Sequence, residues 1–194
     1  MLRKIIIGGY IVLLFPIFMV VISFYRVQLC SFVTGGRILA VLPGEAGMFL
    51  RRFWYQHTLE SCGKDLYVDW MAIIKSSQSS IGDNVYIGTF CWIGRVTLGN
   101  DVMLGGHITI LSGAHTHSFD DLDIPMTQQK VTLQRITIGH DVWVGNRAII
   151  MANVEWGCVI GAGAVVNKTY APFDILVGLP AKPIGNRKTP KSAN

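Results

Sequence analysis

The stretch IGDNVYIGTFCWIGRVTLGNDVMLGGHITI, residues 81–110, decides the fold. An aliphatic residue returns at intervals of six, usually followed by glycine: Ile81-Gly82, Ile87-Gly88, Ile93-Gly94, then after a one-residue slip Leu98-Gly99, Leu104-Gly105 and Ile110. The frame resumes as Ile138-Gly139, Val144-Gly145 and Ile150, and again as Ile160-Gly161 and Val166. Small or aliphatic residues hold the fourth position after each, among them Val85, Cys91, Val102, Val142, Ala148 and Ala164. Two inward positions per six residues describe one short flat face of a solenoid. Three such faces close a coil of about 18 residues, and stacked coils bury a continuous aliphatic core. A β-sandwich would alternate at period two and space its turns by about 8–12 residues, which this stretch does not do. The glycine after each aliphatic residue is expected to permit a tight corner.

Outward from the repeat, the frame stops after Ile110 and returns at Ile136. The insertion 112–135 carries His115, His117, Asp120, Asp121 and Asp123. Solenoids place insertions on a binding face, and so long an excursion from a compact domain is usually functional. A neutral histidine there suits withdrawal of a proton from a weakly nucleophilic hydroxyl. Surface histidines in a polar loop are the plain alternative.

Toward the N-terminus, Ile5 to Tyr25 is a run of 21 uncharged residues between Lys4 and Arg26. As a helix it reaches about 30 Å, the thickness of a hydrocarbon core. Nothing after it has the small-x-small character of a cleavage site, so an uncleaved membrane anchor over residues 1–30 is expected. Pro16 in its middle leaves two forms open, a kinked single span and a re-entrant segment. Residues 31–64, with Arg51 and Arg52 between aromatic neighbours, read as an amphipathic interfacial or linker segment, or as a helix packed on the body.

The whole chain has 194 residues, 51% hydrophobic and 15% charged, with a net charge of +5 and a mean hydropathy of +0.42. The charge is unevenly placed. Residues 1–75 hold 8 basic and 4 acidic side chains, residues 76–181 hold 5 and 8, and residues 182–194 hold 4 and none. An acidic body between basic flanks suits lipid head groups or a phosphorylated ligand and speaks against nucleic acid, which needs cations across the body. Cys30, Cys62, Cys91 and Cys158 form no CxxC pair, so neither a zinc knuckle nor a disulfide framework is indicated.

Repeats of the form aliphatic-Gly-x-x-small-x, ending in Ile160-Gly161-Ala162-Gly163-Ala164-Val165-Val166 and Val177-Gly178-Leu179-Pro180-Ala181-Lys182, resemble the hexapeptide-repeat acyltransferases. Within that family the likeness is to galactoside, maltose and nodulation-type O-acetyltransferases and their relatives in polysaccharide biosynthesis. It covers about residues 65–186. The resemblance implies an all-β, left-handed parallel β-helix, a homotrimer, and acetyl-CoA as co-substrate in the groove between subunits, with no bound cofactor and no metal. Residues 187–194 are left as a basic tail.

The resemblance also implies site residues. Ser112-Gly113-Ala114-His115 occupies the register of the family's catalytic base, which makes His115 that base. Trp143 and the amide around Asn146 become candidates for the acyl and oxyanion site, with an aromatic cover on the solenoid face as the plain alternative for Trp143. Beside that register, His117, Asp120 and Asp121 are read from the loop itself as acceptor-binding candidates: His117 orients the acceptor or is solvated, and Asp120, Asp121 and Asp123 fix the tautomer of His115, bond sugar hydroxyls or form a solvated acidic loop. Ala162, Gly163 and Ala164 would wall the pantetheine arm, with Asn167, Lys168 and Lys182 toward the nucleotide phosphates and Arg187 and Lys188 as extra charge or solvated tail. Two departures stand out. The segment Gly88-Thr89-Phe90-Cys91-Trp92 lacks the asparagine some sugar acetyltransferases carry, and instead offers Phe90 and Trp92 as ring surfaces for a sugar or a hydrophobic carrier. Between Trp156 and Ile160 the spacing is four rather than six.

The function expected is an O-acetyltransferase acting on a sugar hydroxyl of a membrane-proximal or lipid-linked glycan precursor. It would face the cytoplasm from a bacterial inner membrane, with membrane lipids as partners. A soluble sugar or nucleotide sugar is the alternative acceptor. A carbonic-anhydrase-like metal site would need three converging histidines from His107, His115, His117 and His140, whose placement does not follow that pattern.

Overall fold

The computed structural model describes residues 2–114 and 116–189, and of residues 2–7, 10 and 11 the backbone alone. The repeat folds as a three-sided parallel β-solenoid, consistent with the left-handed β-helix expected. Short strands stack into three ladders. One runs from Tyr67–Val68 through Tyr86–Ile87, Met103–Leu104, Trp143–Val144 and Val159–Ile160 to Asp174–Val177. A second runs from Ile73–Ile74 through Trp92–Ile93, Thr109–Ile110 and Ile149–Ile150 to Val165–Val166. The third joins Ser61–Cys62, Ser80–Ile81, Val96–Leu98 and Ile136–Ile138. Register is strict, with Ile87 beside Leu104, Leu104 beside Val144 and Val144 beside Ile160. The repeated aliphatic residues and the fourth-position residues are buried along the axis, including Ile87, Ile93, Leu104, Ile110, Val144, Ile150 and Ala164.

The corners correct one expectation. Apart from Gly178 in the last repeat, the glycines after the aliphatic residues are not the residues with positive φ. Two columns of other residues hold the left-handed conformation, Asp65, Asn84, Asp101, Asp141 and Phe173 at one corner and Met71, Phe90, His107 and Arg147 at the next. Asn and Asp tolerate that region because a short polar side chain can bond locally. Gly88 answers a different need: a Cβ there would lie 2.6 Å from the Gly105 carbonyl oxygen of the next coil. It is close approach between coils, rather than φ, that excludes a side chain. Where the spacing shortens near Trp156, the third face contracts to a single bridge between Val154 and Ile138.

Three helices precede the coils: α1 (Leu2–Arg26), α2 (Phe32–Ala40) and α3 (Gly44–Thr58). Among the described residues no helix is long and apolar enough to cross a membrane, so the spanning anchor expected from the sequence is not found. α1 runs through Pro16 as one helix and does not form the dip and return of a re-entrant segment. Its Leu14, Phe18, Val21 and Ile22 are buried, with the Phe18 ring edge-on to Phe53 of α3 at 5.1 Å and Tyr25 edge-on to Trp54 at 5.2 Å. The apolar run is therefore divided: one face joins the protein core, and Val12, Leu13, Val20 and Phe24 stay exposed.

α3 covers the first coil rather than lying free. Leu50, Trp54 and Tyr55 are fully buried, and the Tyr55 hydroxyl accepts the Ile74 N–H at 3.1 Å. Arg51, 1% exposed, donates to the carbonyls of Val68 (3.0 Å), Leu39 (3.1 Å) and Leu42 (2.7 Å). One guanidinium thus ties α2, the α2–α3 turn and the first coil together. Burial lowers its pKa from the ordinary arginine value.

Candidate active site

The loop that breaks the repeat folds as an arm. It leaves after Thr109–Ile110 and rejoins at Ile136–Ile138, and rungs hold its two limbs together. Gln134 N–H donates to the Ser112 carbonyl at 2.8 Å, Thr132 to Thr116 at 2.9 Å, and Ser118 to Lys130 at 2.9 Å. At the tip the Gln129 amide donates to the carbonyls of Asp121 (2.6 Å) and Ile124 (2.8 Å), while the Asp121 carboxylate accepts the Asp123 N–H at 2.9 Å. Asp121 is therefore occupied in bracing the turn, an Asx arrangement common in loops. Asp120 and His117 are exposed. His115 lies outside the described residues.

At the base of the arm a recess of about 230 Å³ is lined by Lys75, Trp92, Arg95, Ser112, Thr116 and His117, among others. The Ser112 hydroxyl is fixed by accepting the Arg95 N–H at 3.0 Å. Lys75 Nζ sits 4.6 Å from the centre of the Trp92 ring, and Arg37 of α2 reaches the same ring at 5.7 Å. Of the acceptor candidates, Trp92 and His117 come together here and Phe90 does not. Phe90 is on a corner, stacked on His107 at 5.0 Å and edge-on to Trp70 at 5.3 Å. Lys75, Arg95 and Arg37 had no signal in the sequence, since they lie far apart along the chain and Arg95 holds an unconstrained position of its repeat.

The acyl-side candidates lie on other faces. Asn146, Ala162 and Gly163 share a corner of successive coils. The Asn146 side-chain oxygen accepts the Gly106 N–H at 2.7 Å, and its carbonyl accepts the Gly163 N–H at 2.9 Å. The Asn146 N–H has no acceptor among the described residues. Trp143 is half exposed and lines a second recess of about 290 Å³ with Met103, Val159 and Arg187. Ala164 has no exposed surface. It fills the inward fourth position of its repeat, so it belongs to the core and not to a ligand wall. Asn167 and Lys168 are exposed, with Lys168 Nζ 5.4 Å from the Tyr170 ring. Lys182 pairs with Val177 in the terminal antiparallel hairpin.

Arg187 is not a solvated tail residue. It donates to the Asp141 carboxylate at 2.9 Å and to the Gly157 carbonyl at 2.7 Å, while Lys188 lies over the Phe173 ring at 4.3 Å. His140 Nδ1 accepts the Asn100 N–H at 2.9 Å. The two core cysteines are inert by position: burial pushes the Cys91 thiol up to about 11 and raises that of Cys158, which keeps both protonated at neutral pH.

The family model described as the hexapeptide repeat of succinyl-transferase matches residues 78–112 and 135–168, the two blocks of coil on either side of the arm. The chain carries two blocks of hexapeptide repeat. A Schizosaccharomyces pombe protein, whose name assigns it only provisionally to the acetyltransferases, is 36% identical over 115 residues, 53% of each chain. An Escherichia coli chloramphenicol acetyltransferase is 29% identical over 150 residues, covering 70% of this chain and 62% of that one. The matched region thus spans less than two thirds of either relative. Among solved structures, a maltose O-acetyltransferase from Clostridium difficile superposes with a TM-score of 0.71 at 23% identity, over 82% of this chain and 87% of that one. At that identity the likeness shows the fold alone.

Proposed function

We propose that this hexapeptide-repeat protein is an acetyl-CoA-dependent O-acetyltransferase that modifies a sugar hydroxyl at a membrane surface. The observation that carries the reading is that the coil, whose relatives are named acetyltransferases, is interrupted once among the described residues, by a braced arm bearing His115 and His117. In the proposed reaction the acceptor oxygen attacks the thioester carbonyl while His115 takes its proton. A C–O bond forms, the C–S bond breaks, and the proton returns from the imidazolium to the departing CoA thiolate. A backbone N–H without an internal acceptor, such as that of Asn146, is suited to stabilise the oxyanion. The acyl site is proposed to be completed by a second copy in a homotrimer, with Ala162, Gly163, Asn167, Lys168 and Lys182 toward CoA.

Attachment to a lipid surface is supported by the outer face of α1 and α2. Pro16, Ile17, Val20, Phe24, Cys30 and Ile38 line an apolar groove of about 460 Å³; neither helix carries a carboxylate, and each has an arginine in its last turn. An apolar face rimmed by cations is what an anionic membrane interface accepts. Because acetyl-CoA is cytosolic, the proposed orientation is toward the cytoplasm.

The test is release of free CoA thiol from acetyl-CoA with a sugar acceptor present. The His115→Ala protein is expected to lose about 100-fold or more of the rate, the usual contribution of a positioned general base, with its circular dichroism unchanged. A full rate from the folded variant would refute the assignment.

A further inference from the structure

We infer that the recess at the base of the arm holds a phosphoryl group of the acceptor, between its sugar and its apolar carrier, with Arg95 and Lys75 as direct ligands. This rests on the transferase reading for its biological meaning, though not for its binding chemistry. The recess is lined by two cations, Lys75 and Arg95, and by no carboxylate. Arg95 Nε is fully shielded from solvent and finds no hydrogen-bond partner among the described residues. An unpaired Nε donor is costly, and because Arg95 is only half-buried, an anion in the recess can draw the guanidinium out of that position and pair with it. Arg95 is not a stray surface side chain either. Its own N–H is tied to Ser112 and its carbonyl accepts the Ile136 N–H at 3.1 Å, so both ends of the arm fix its backbone.

The neighbouring groups specify the kind of anion. Trp92 gives a ring surface beside the cations, and two cations already gather over it, from Lys75 and from Arg37. Ser112, Thr116 and His117 add hydroxyl and imidazole groups on the arm side. Guanidinium and ammonium groups with hydroxyls suit a phosphate ester, which offers several acceptor oxygens to a planar fork. The position of Arg37 then gives the direction of the molecule. Arg37 reaches Trp92, while Ile38, its neighbour on α2, lines the apolar groove between α1 and α2. One turn of helix therefore borders both a basic recess and an apolar trough. An acceptor with an apolar chain, a phosphoryl group and a sugar would meet trough, cations and arm in that order. A soluble nucleotide sugar has the same phosphoester and lacks the chain.

Binding is measured on the full chain in detergent without acetyl-CoA, following tryptophan fluorescence. The probes are glucose, glucose 1-phosphate, UDP-glucose and an isoprenyl-diphosphate glucose in micelles. The phosphoesters are expected to bind saturably and at least about tenfold more tightly than glucose, with affinity falling as salt is raised. Arg95→Met is expected to remove about tenfold or more of that preference, and Arg95→Lys to restore part of it. Lys75→Met, at an exposed side chain, repeats the test if Arg95→Met fails to fold. Tighter binding of the isoprenyl probe than of UDP-glucose identifies the lipid-linked source, and equal binding the soluble one. Equal affinity for glucose and glucose 1-phosphate, or an unchanged preference in both variants, overturns the inference. The two readings fail separately: Arg95-dependent phosphoester binding without acyl transfer leaves this site standing and removes the transferase reading. Acyl transfer that is indifferent to the phosphate and to Arg95 does the reverse.

Discussion

Replacing Arg51 by methionine should unlatch the helices from the solenoid. The side chain is 1% exposed and donates to three carbonyls, Val68 at 3.0 Å, Leu39 at 3.1 Å and Leu42 at 2.7 Å. Methionine fills much of the volume and donates to none. The carbonyls of Val68 and Leu42 lose their donor, at about 1–3 kcal/mol each, while that of Leu39 keeps the Leu42 N–H at 3.3 Å. Relief of the buried charge offsets part of that cost and leaves a loss of about 2 kcal/mol. Arg51→Lys should recover part of it, because a single ammonium cannot span acceptors on three segments as a guanidinium does. Gly47 gives an internal control. A Cβ there would lie 2.0 Å from the Leu42 carbonyl oxygen and 2.9 Å from the Arg51 guanidinium, so Gly47→Ala disturbs the same latch and its cost should not add to that of Arg51→Met. The assay is urea unfolding followed through Trp54, which is buried beside the latch. A change in Arg51→Met below about 1 kcal/mol, or full additivity with Gly47→Ala, would refute the latch.

The chain should also lose stability in alkali. The Tyr55 hydroxyl is pushed up to about 12 from 10.0, chiefly by burial. Because the folded value is the higher one, the stabilisation is complete below pH ~10 and lost as the pH rises from there toward ~12, a loss of about 3 kcal/mol. Tyr55→Phe should flatten that part of a stability–pH profile, and a profile with the same slope in both proteins would count against it. Among the glycines, Gly88→Ala should cost about 1–3 kcal/mol by forcing coils apart. Gly163→Ala should cost only about 1–2 kcal/mol, since nothing lies within 4 Å of its Cβ and the penalty comes from φ +70 alone. Both are read from thermal midpoints, and an equal or larger loss at Gly163 would contradict the close-approach account.

The coil was legible because its inward residues are set by local spacing, one aliphatic and one small position in every six, whatever lies elsewhere in the chain. The arm was legible for the same reason, as the place where spacing stops. Ala164 is instructive here. Its place in the repeat already put it inside, and the family register that made it a ligand wall overrode that. The corner glycines were located correctly and explained wrongly, because whether a glycine serves φ or close approach depends on the coil above it, about 17 residues away in sequence for Gly88 and Gly105.

The helices show where spacing stops being informative. A run of apolar residues reads alike whether lipid or protein covers it, since both exclude water from the same side chains. Only packing divided α1 into a face against Phe53 and Trp54 and a face left open. The sequence by itself determined the solenoid, its interruption and the loop histidines. Tertiary structure alone decided that Arg37, Lys75, Trp92 and Arg95, drawn from one helix and two coils, meet at the base of the arm, because charge complementarity depends on distance in space and leaves no period in the chain.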